Sequence, residues 1–146
     1  TEAANKGAMQ AGSASVGLIM RRDHTDSGNK YLNSHAVFKF PFTRKLILTA
    51  PSNGFVIFRG GLGTLHQAFE LLTLMQTGKT HKIPVLFFDS KYWDPLQQYV
   101  TNVLLKKYKT ISKSDEKFYR TVDSVDEIME IITSQRREAD NDERYQ

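Results

Sequence analysis

The sequence predicts an α/β domain: a parallel sheet with helices covering both of its faces. Three observations carry that expectation. Short apolar runs alternate along the chain with stretches of helical periodicity. The runs are apolar at consecutive positions, as strands buried on both faces are. The clearest of them, over residues 55–58, passes through Gly60, Gly61 and Gly63 into a helix, the strand–turn–helix unit from which such sheets are wound.

In order, residues 2–11 are rich in helix formers and Gly12 supplies a stop. Residues 15–20 are an apolar strand. Residues 21–34 are rich in Gly, Asn, Asp and Ser, too polar for a core element, and predict a loop. His24 and His35 lie in or beside it without a partner at metal-ligand spacing, so both are read as solvated and no metal site is predicted. Residues 36–40 alternate as a strand, and Pro41 suits the first turn of a helix over 42–50. Phe42, Leu46 and Ala50 form its stripe, expected to be buried, with Arg44 on another face.

After the strand over 55–58 and its glycines, Leu65, Ala68, Phe69, Leu72 and Met75 recur at the spacing of one helix face. Leu71 and Leu74 lie outside that stripe, so the helix is apolar over more than one face. Cover by a second copy is one solution, and burial under the sheet's own helices is the other. Residues 83–88 are a further buried strand with Pro84 tolerated near its start. Asp94 and Pro95 predict the opening of a helix with Leu96, Tyr99, Val100, Val103 and Leu104 on one face. Residues 113–115 read as loop and 118–122 as a last short strand. Asp123 is placed as the cap of a helix over 125–135 with Val125, Ile128, Met129 and Ile132 inward. The charged residues 136–146 predict a frayed tail. The whole is a Rossmann-like domain over 1–135 and a flexible tail over 136–146.

Composition narrows the classes. A chain of 146 residues with 40% hydrophobic side chains is one domain's worth of core. The absence of cysteine excludes disulfides, thiolate catalysis and Cys-type zinc sites, and suits a cytoplasmic protein. No apolar run approaches ~20 residues, so no membrane span is predicted. The chain begins at Thr1 with no charged-then-apolar leader, which predicts no signal peptide and a segment missing upstream. Twenty Lys and Arg against sixteen Asp and Glu give a net charge of +4. These basic residues are scattered, the densest group being Lys106, Lys107 and Lys109 at a predicted helix end, so no nucleic-acid partner is expected.

The glycine turn is where chemistry is expected. Residues without Cβ allow a tight turn and close approach of a ligand to the backbone. The unpaired N–H groups and dipole of a helix N-terminus attract an anion there, and Thr64 adds a hydroxyl. Glycines before a helix also occur in turns that bind nothing, so the surrounding residues matter. Gly60, Gly61, Gly63 and Thr64, followed by residues 69–78, 83–88 and the pair Tyr92 and Trp93, resemble the lonely-guy family of nucleotide phosphoribohydrolases, long labelled lysine decarboxylases. That family's signature is Pro-Gly-Gly-x-Gly-Thr-x-x-Glu. This chain departs from it at both ends, with Arg59 for the proline and Gln67 for the glutamate.

Two further segments extend the resemblance. Glu2, Ala3, Ala4, Asn5, Gly7 and Ala8 are similar to the family's Met-Glu-Ala-Ala-Asn-x-Gly-Ala. Phe38, Phe40, Phe42, Arg44 and Lys45 are similar to its Phe-x-Tyr-Phe-Phe-x-Arg-Lys, whose arginine works in the active site. The likeness covers nearly all of this chain but about the last two-thirds of a family member, which implies that the first strands of the sheet are missing. It also implies that residues 21–34 border the site and that members dimerise.

The reaction that the resemblance implies is hydrolysis of the N-glycosidic bond of a nucleoside 5′-monophosphate, cytokinin-type or purine, without a cofactor. It needs a phosphate anchor, a group that stabilises positive charge on the ribose, and a positioned water. Arg59, Gly60, Gly61, Gly63 and Thr64, with Lys45, Glu2 and the planar fork of Arg44, are the candidates for holding substrate. Arg44 and Gln67 stand at the catalytic positions, and Gln67 cannot carry the charge of a glutamate or accept its proton. Glu70 and Glu2 are the carboxylates available to replace it. His66 lies about 100° around the helix from Gln67 and is read as surface. A hydrolase with altered site residues and a protein that binds a nucleotide intact are the two readings; a bare interaction domain is the third.

Overall fold

The computed structural model describes residues 2–21 and 28–142, with side chains as far as Ser134. The chain is α/β and Rossmann-like, and its strands form two parallel sheets. Each sheet belongs to one of two compact units, Thr1–Pro51 and Ser52–Gln146.

In the first unit, α1 (Glu2–Gln10) ends at Gly12, whose φ of 69° is the left-handed conformation expected of a helix stop. Gly12 N–H donates to Met9 O at 3.1 Å and Ser13 N–H to Ala8 O at 2.9 Å, which satisfies the last carbonyls. Strands β1 (Val16–Met20) and β2 (Ser34–Phe38) pair in parallel, from Val16 opposite Ser34 to Met20 opposite Phe38. Asn5 donates to Ser15 Oγ at 3.0 Å and accepts from Asn29 at 2.9 Å, while Asn33 Oδ1 accepts the Ser15 N–H at 2.7 Å. The asparagine shared with the family segment thus fastens α1 to the start of β1 around Ser15, which is 2% exposed. Helix α2 (Pro41–Thr49) starts at its proline as predicted. Its expected buried stripe is overturned: Phe42 is 74% and Leu46 56% exposed. The half-buried positions are Arg44, Lys45, Leu48 and Thr49, because α2 is anchored through Arg44, whose Nε donates to Leu18 O of β1 at 2.6 Å. Of the two histidines, His35 is exposed in β2 and His24 lies outside the described residues.

In the second unit, β3 (Phe55–Ile57), β4 (Val85–Phe88) and β5 (Tyr119–Val122) lie in that order, all parallel. Both crossovers step the same way along the sheet, which puts α3 (Leu62–Gln76) and α4 (Ser90–Tyr99) on one face. Central β4 alternates within its apolar run. Val85 and Phe87 pack with Ala68, Leu71, Met75 and Trp93 on the α3–α4 face. Leu86 packs with Val122 and Ile128 on the face covered by α5 (Val125–Asp142). Burial of each Val, Leu, Ile, Met or Phe side chain among these contributes about 1.5–3 kcal/mol.

Several predicted details shift for identifiable reasons. The inward stripe of α3 is Ala68, Leu71 and Met75, flanked by Leu72, so the helix is turned to bury Leu71 and leave Phe69 at the surface. Helix α4 opens at Ser90 and carries Pro95 inside it, because Asp123 Oδ1 accepts the Ser90 N–H at 2.8 Å and caps the start from outside the helix. It runs into a π-helical stretch, Val100–Lys107, and Tyr99 is exposed. With Asp123 so engaged, Ser124 caps α5 by accepting the Glu127 N–H at 3.2 Å. The inward residues of α5 are Ile128, Ile131 and Ile132, whereas Val125 and Met129 are exposed. Its backbone stays helical to Asp142, through the helix formers Arg136, Arg137, Glu138 and Ala139, seven residues past the predicted end.

Candidate functional site

The glycine turn lies where a parallel sheet places its ligands, at the carboxyl end of a strand. Residues 58–61 lead from β3 into α3, which begins at Leu62 with Gly61 as its N-cap. No side chain caps this helix. Thr64 N–H and Leu65 N–H both donate to Gly61 O at 3.0 Å, leaving Leu62 and Gly63 as the first-turn amides for an anion.

The three glycines have separate reasons. None adopts a left-handed φ. A Cβ on Gly60 would stand 2.1 Å from Thr64 Oγ1, so Gly60 is required because the Thr64 hydroxyl folds back over the turn. A Cβ on Gly61 or Gly63 would meet nothing within 4 Å. The space beside those two is open for a ligand. Gln67 is exposed on α3, three residues after Thr64 and so on the same side of the helix. Glu70 is half-buried one turn further on, and His66 is exposed.

Asp89, which sequence reasoning did not single out, and Tyr92, which it named only as part of the family likeness, hold the turn. Arg59 Nε donates to Asp89 Oδ2, and the Tyr92 hydroxyl donates to Gly60 O at 2.8 Å. Asp89 sits between β4 and α4 with φ 88°, an unfavourable conformation for a residue with a Cβ. It is held there from several sides: its N–H donates to Val122 O at 2.9 Å, and its carbonyl accepts from Tyr92 and Trp93. A strained non-glycine residue at the end of a central strand was the signal available, but only coordinates reveal it. Asp123, at the end of β5, completes the row. The Ser90 backbone N–H, then its side chain, and Lys91 nearby hold the Asp123 carboxyl below the ordinary value, against a smaller desolvation effect.

The other predicted residues belong to the first unit. Arg44 and Lys45 are half-buried on α2, with Arg44 engaged on Leu18 O. Glu2 is exposed in the first turn of α1. Among the described residues no group of three or more His, Cys, Asp or Glu is placed to hold a metal ion, and no helix is long and apolar enough to cross a membrane.

Parallel strands with an uncapped glycine turn at a strand's carboxyl end define the class, a Rossmann-like α/β protein. The family model described as possible lysine decarboxylase matches residues 1–132, and the chain belongs to that family. It is also similar to a cytokinin riboside 5′-monophosphate phosphoribohydrolase of Rhodococcoides fascians, 31% identical over 67 residues. That match covers 46% of this chain and 34% of the relative, so it spans about a third of the relative's length.

Proposed function

We propose that this protein binds a nucleoside 5′-monophosphate at the glycine turn, and that its hydrolysis of the N-glycosidic bond is slow because Gln67 occupies the carboxylate position. The observation that carries the reading is the uncapped start of α3, with open space beside Gly61 and Gly63 and the Thr64 hydroxyl folded over the turn. Amides and a hydroxyl anchor the phosphate and Arg59 supplies positive charge; family membership makes Arg44, Lys45 and Glu2 further candidates for holding substrate. Family membership and the similarity to a phosphoribohydrolase support the substrate class.

Hydrolysis requires a negative group as the ribose becomes cationic, and an amide at position 67 stabilises that charge poorly. A second reading, a sensor that recognises the nucleotide and leaves it intact, rests on the same residue. Calorimetric titration with AMP tests binding, and chromatography of the incubated mixture tests cleavage. Saturable heat with little free adenine is the expected pair of results. Saturable heat with rapid release of adenine would overturn the assignment of Gln67, and no heat at all would overturn the site.

We further propose a homodimer in the cytoplasm. The exposed apolar residues Phe40, Phe42, Leu46 and Ile47 of the first unit, and Phe58 and Leu62 of the second, support burial against another copy. The absence of cysteine suits a reducing compartment. Light scattering at micromolar concentration should give twice the chain mass.

A further inference from the structure

The carbonyl of Gly60 and the N–H of Gly61 belong to one trans peptide at the head of α3. The Tyr92 hydroxyl donates to that carbonyl at 2.8 Å. In a trans peptide C=O and N–H point opposite ways, so this bond turns the Gly61 N–H away from Tyr92. No described residue accepts from that N–H. The next peptide is fixed by the helix itself, since Gly61 O accepts from Thr64 and Leu65. Those two bonds leave the orientation of the Gly60–Gly61 peptide to other restraints.

A peptide between two glycines has a second orientation open to it. Reversing its plane takes Gly61 from φ −93°, with ψ −154°, to a positive φ of similar size. Positive φ with so extended a ψ is available to glycine and strained for a residue with a Cβ. Reversed, the peptide presents a carbonyl oxygen where the N–H now stands, an acceptor in place of a donor. Tyr92 is itself firmly placed. Its N–H donates to Asp89 O at 3.1 Å, and its ring stands edge-on to Trp93 with centroids 4.8 Å apart. Trp93 is 3% exposed and packs edge-on in turn against Phe87 of β4. The hydroxyl thus reaches the turn from a fixed point on the core of the second unit.

We propose that Tyr92 is a positioning residue for the phosphate. Its hydroxyl selects the orientation of the Gly60–Gly61 peptide in which the Gly61 N–H joins those of Leu62 and Gly63 as a third donor to the anion. The inference rests on the nucleotide reading above and adds to it a residue of α4 that acts through Gly60 rather than on substrate. A carbonyl turned to the same place repels a phosphate oxygen, so the reversed orientation is the one that binds poorly. Glycine at 61 leaves both orientations accessible, and the tyrosine removes the wrong one. Loss of one ordinary hydrogen bond changes the ratio of two such states about fivefold, and apparent affinity falls with the fraction left in the competent state.

Calorimetric titration with AMP tests this on the parent protein, Tyr92→Phe, Gly61→Ala and the double variant, which together form a double-mutant cycle. Tyr92→Phe keeps the ring, loses the hydroxyl and should raise Kd about two- to fivefold. In the Gly61→Ala background a Cβ penalises the reversed φ, and the same substitution should raise Kd less than about 1.5-fold. A merely structural role for Tyr92 would give equal losses in both backgrounds and overturn the proposal. An unchanged Kd in Tyr92→Phe would overturn it too, while AMP binding by the parent leaves the nucleotide reading standing. No heat with the parent removes that reading and this inference together. A second measurement needs only the parent as the titrated protein. The chain has nine glycines, so ¹⁵N-glycine labelling isolates the Gly61 amide, assigned by its loss in Gly61→Ala, and AMP should move that signal saturably. A Gly61 signal that stays still while that of Gly63 moves would also overturn the proposal.

Discussion

Arg59 donates from Nε to Oδ2 of Asp89, joining the residue just before the glycine turn to the residue just before α4. The two ends of this pair are unequal, with the Arg59 side chain 70% exposed and that of Asp89 13% exposed. An arginine at the position of the family's proline thus gives the turn a tie to the next strand that proline could not make. Removing so exposed a guanidinium should cost less than about 1 kcal/mol of stability. Asp89 differs because its backbone is strained as well. Asp89→Gly should be more stable than Asp89→Ala by about 1 kcal/mol in urea unfolding, since glycine alone adopts φ 88° without penalty. Equal midpoints for the two variants would remove the strain argument.

The two glycines at the turn should separate stability from binding. Gly60→Ala places a Cβ against Thr64 Oγ1 and should cost about 1–3 kcal/mol, as overpacking does. Gly61→Ala meets nothing in the protein and should leave the unfolding midpoint nearly unchanged while weakening AMP binding by calorimetry.

Arg44→Ala should weaken AMP binding by about 1.5–3 kcal/mol, the scale of a charged hydrogen bond. It also removes the tie from α2 to Leu18 O, so near-ultraviolet dichroism must accompany the titration. An unchanged dissociation constant would exclude Arg44 from the site.

Gln67→Glu restores the family's carboxylate on an exposed position of α3. Loss of a charge-stabilising group commonly costs ~10²–10³ in rate, so the reversal should raise adenine release from AMP at least tenfold with little change in affinity. A silent variant would mean that Arg59, or something outside this chain, also limits the site.

Asp123 predicts a pH effect of definite sign. Its folded pKa lies below the ordinary value of 3.8, chiefly through the Ser90 backbone N–H. The carboxylate therefore adds stability above that value, and the contribution is lost as pH falls through the lower, folded pKa. Urea midpoints should drop less steeply below pH 3.8 in Asp123→Asn than in the parent protein.

What the sequence made legible was set by local chemistry. The apolar run of β4, the glycine turn and the stop at Gly12 each depend on adjacent residues, and each is found where it was read. The start of α4 was misplaced because Asp94 and Pro95 look like a helix opening, while the cap is Asp123, brought alongside by the pairing of β4 with β5. The contacts of Asp89 and Tyr92 are illegible for the same reason: what they hold is some thirty residues away in sequence. The apolar stripe on α2 failed differently. Its periodicity is sound, but the helix is oriented by Arg44 on Leu18 O, which leaves Phe42 and Leu46 outward.

The central place of β4 carries a consequence for how the second unit is made. Phe55 pairs with Val85 and Val85 with Tyr119, so every rung of this sheet joins residues about thirty or more positions apart. No hairpin offers a short route to the first rung. Two long closures must precede most of the reward, each with an entropy cost that grows with the logarithm of the loop. Refolding should therefore be slow for a unit of this size, and the strand edges it leaves open on the way are where self-association would compete with it.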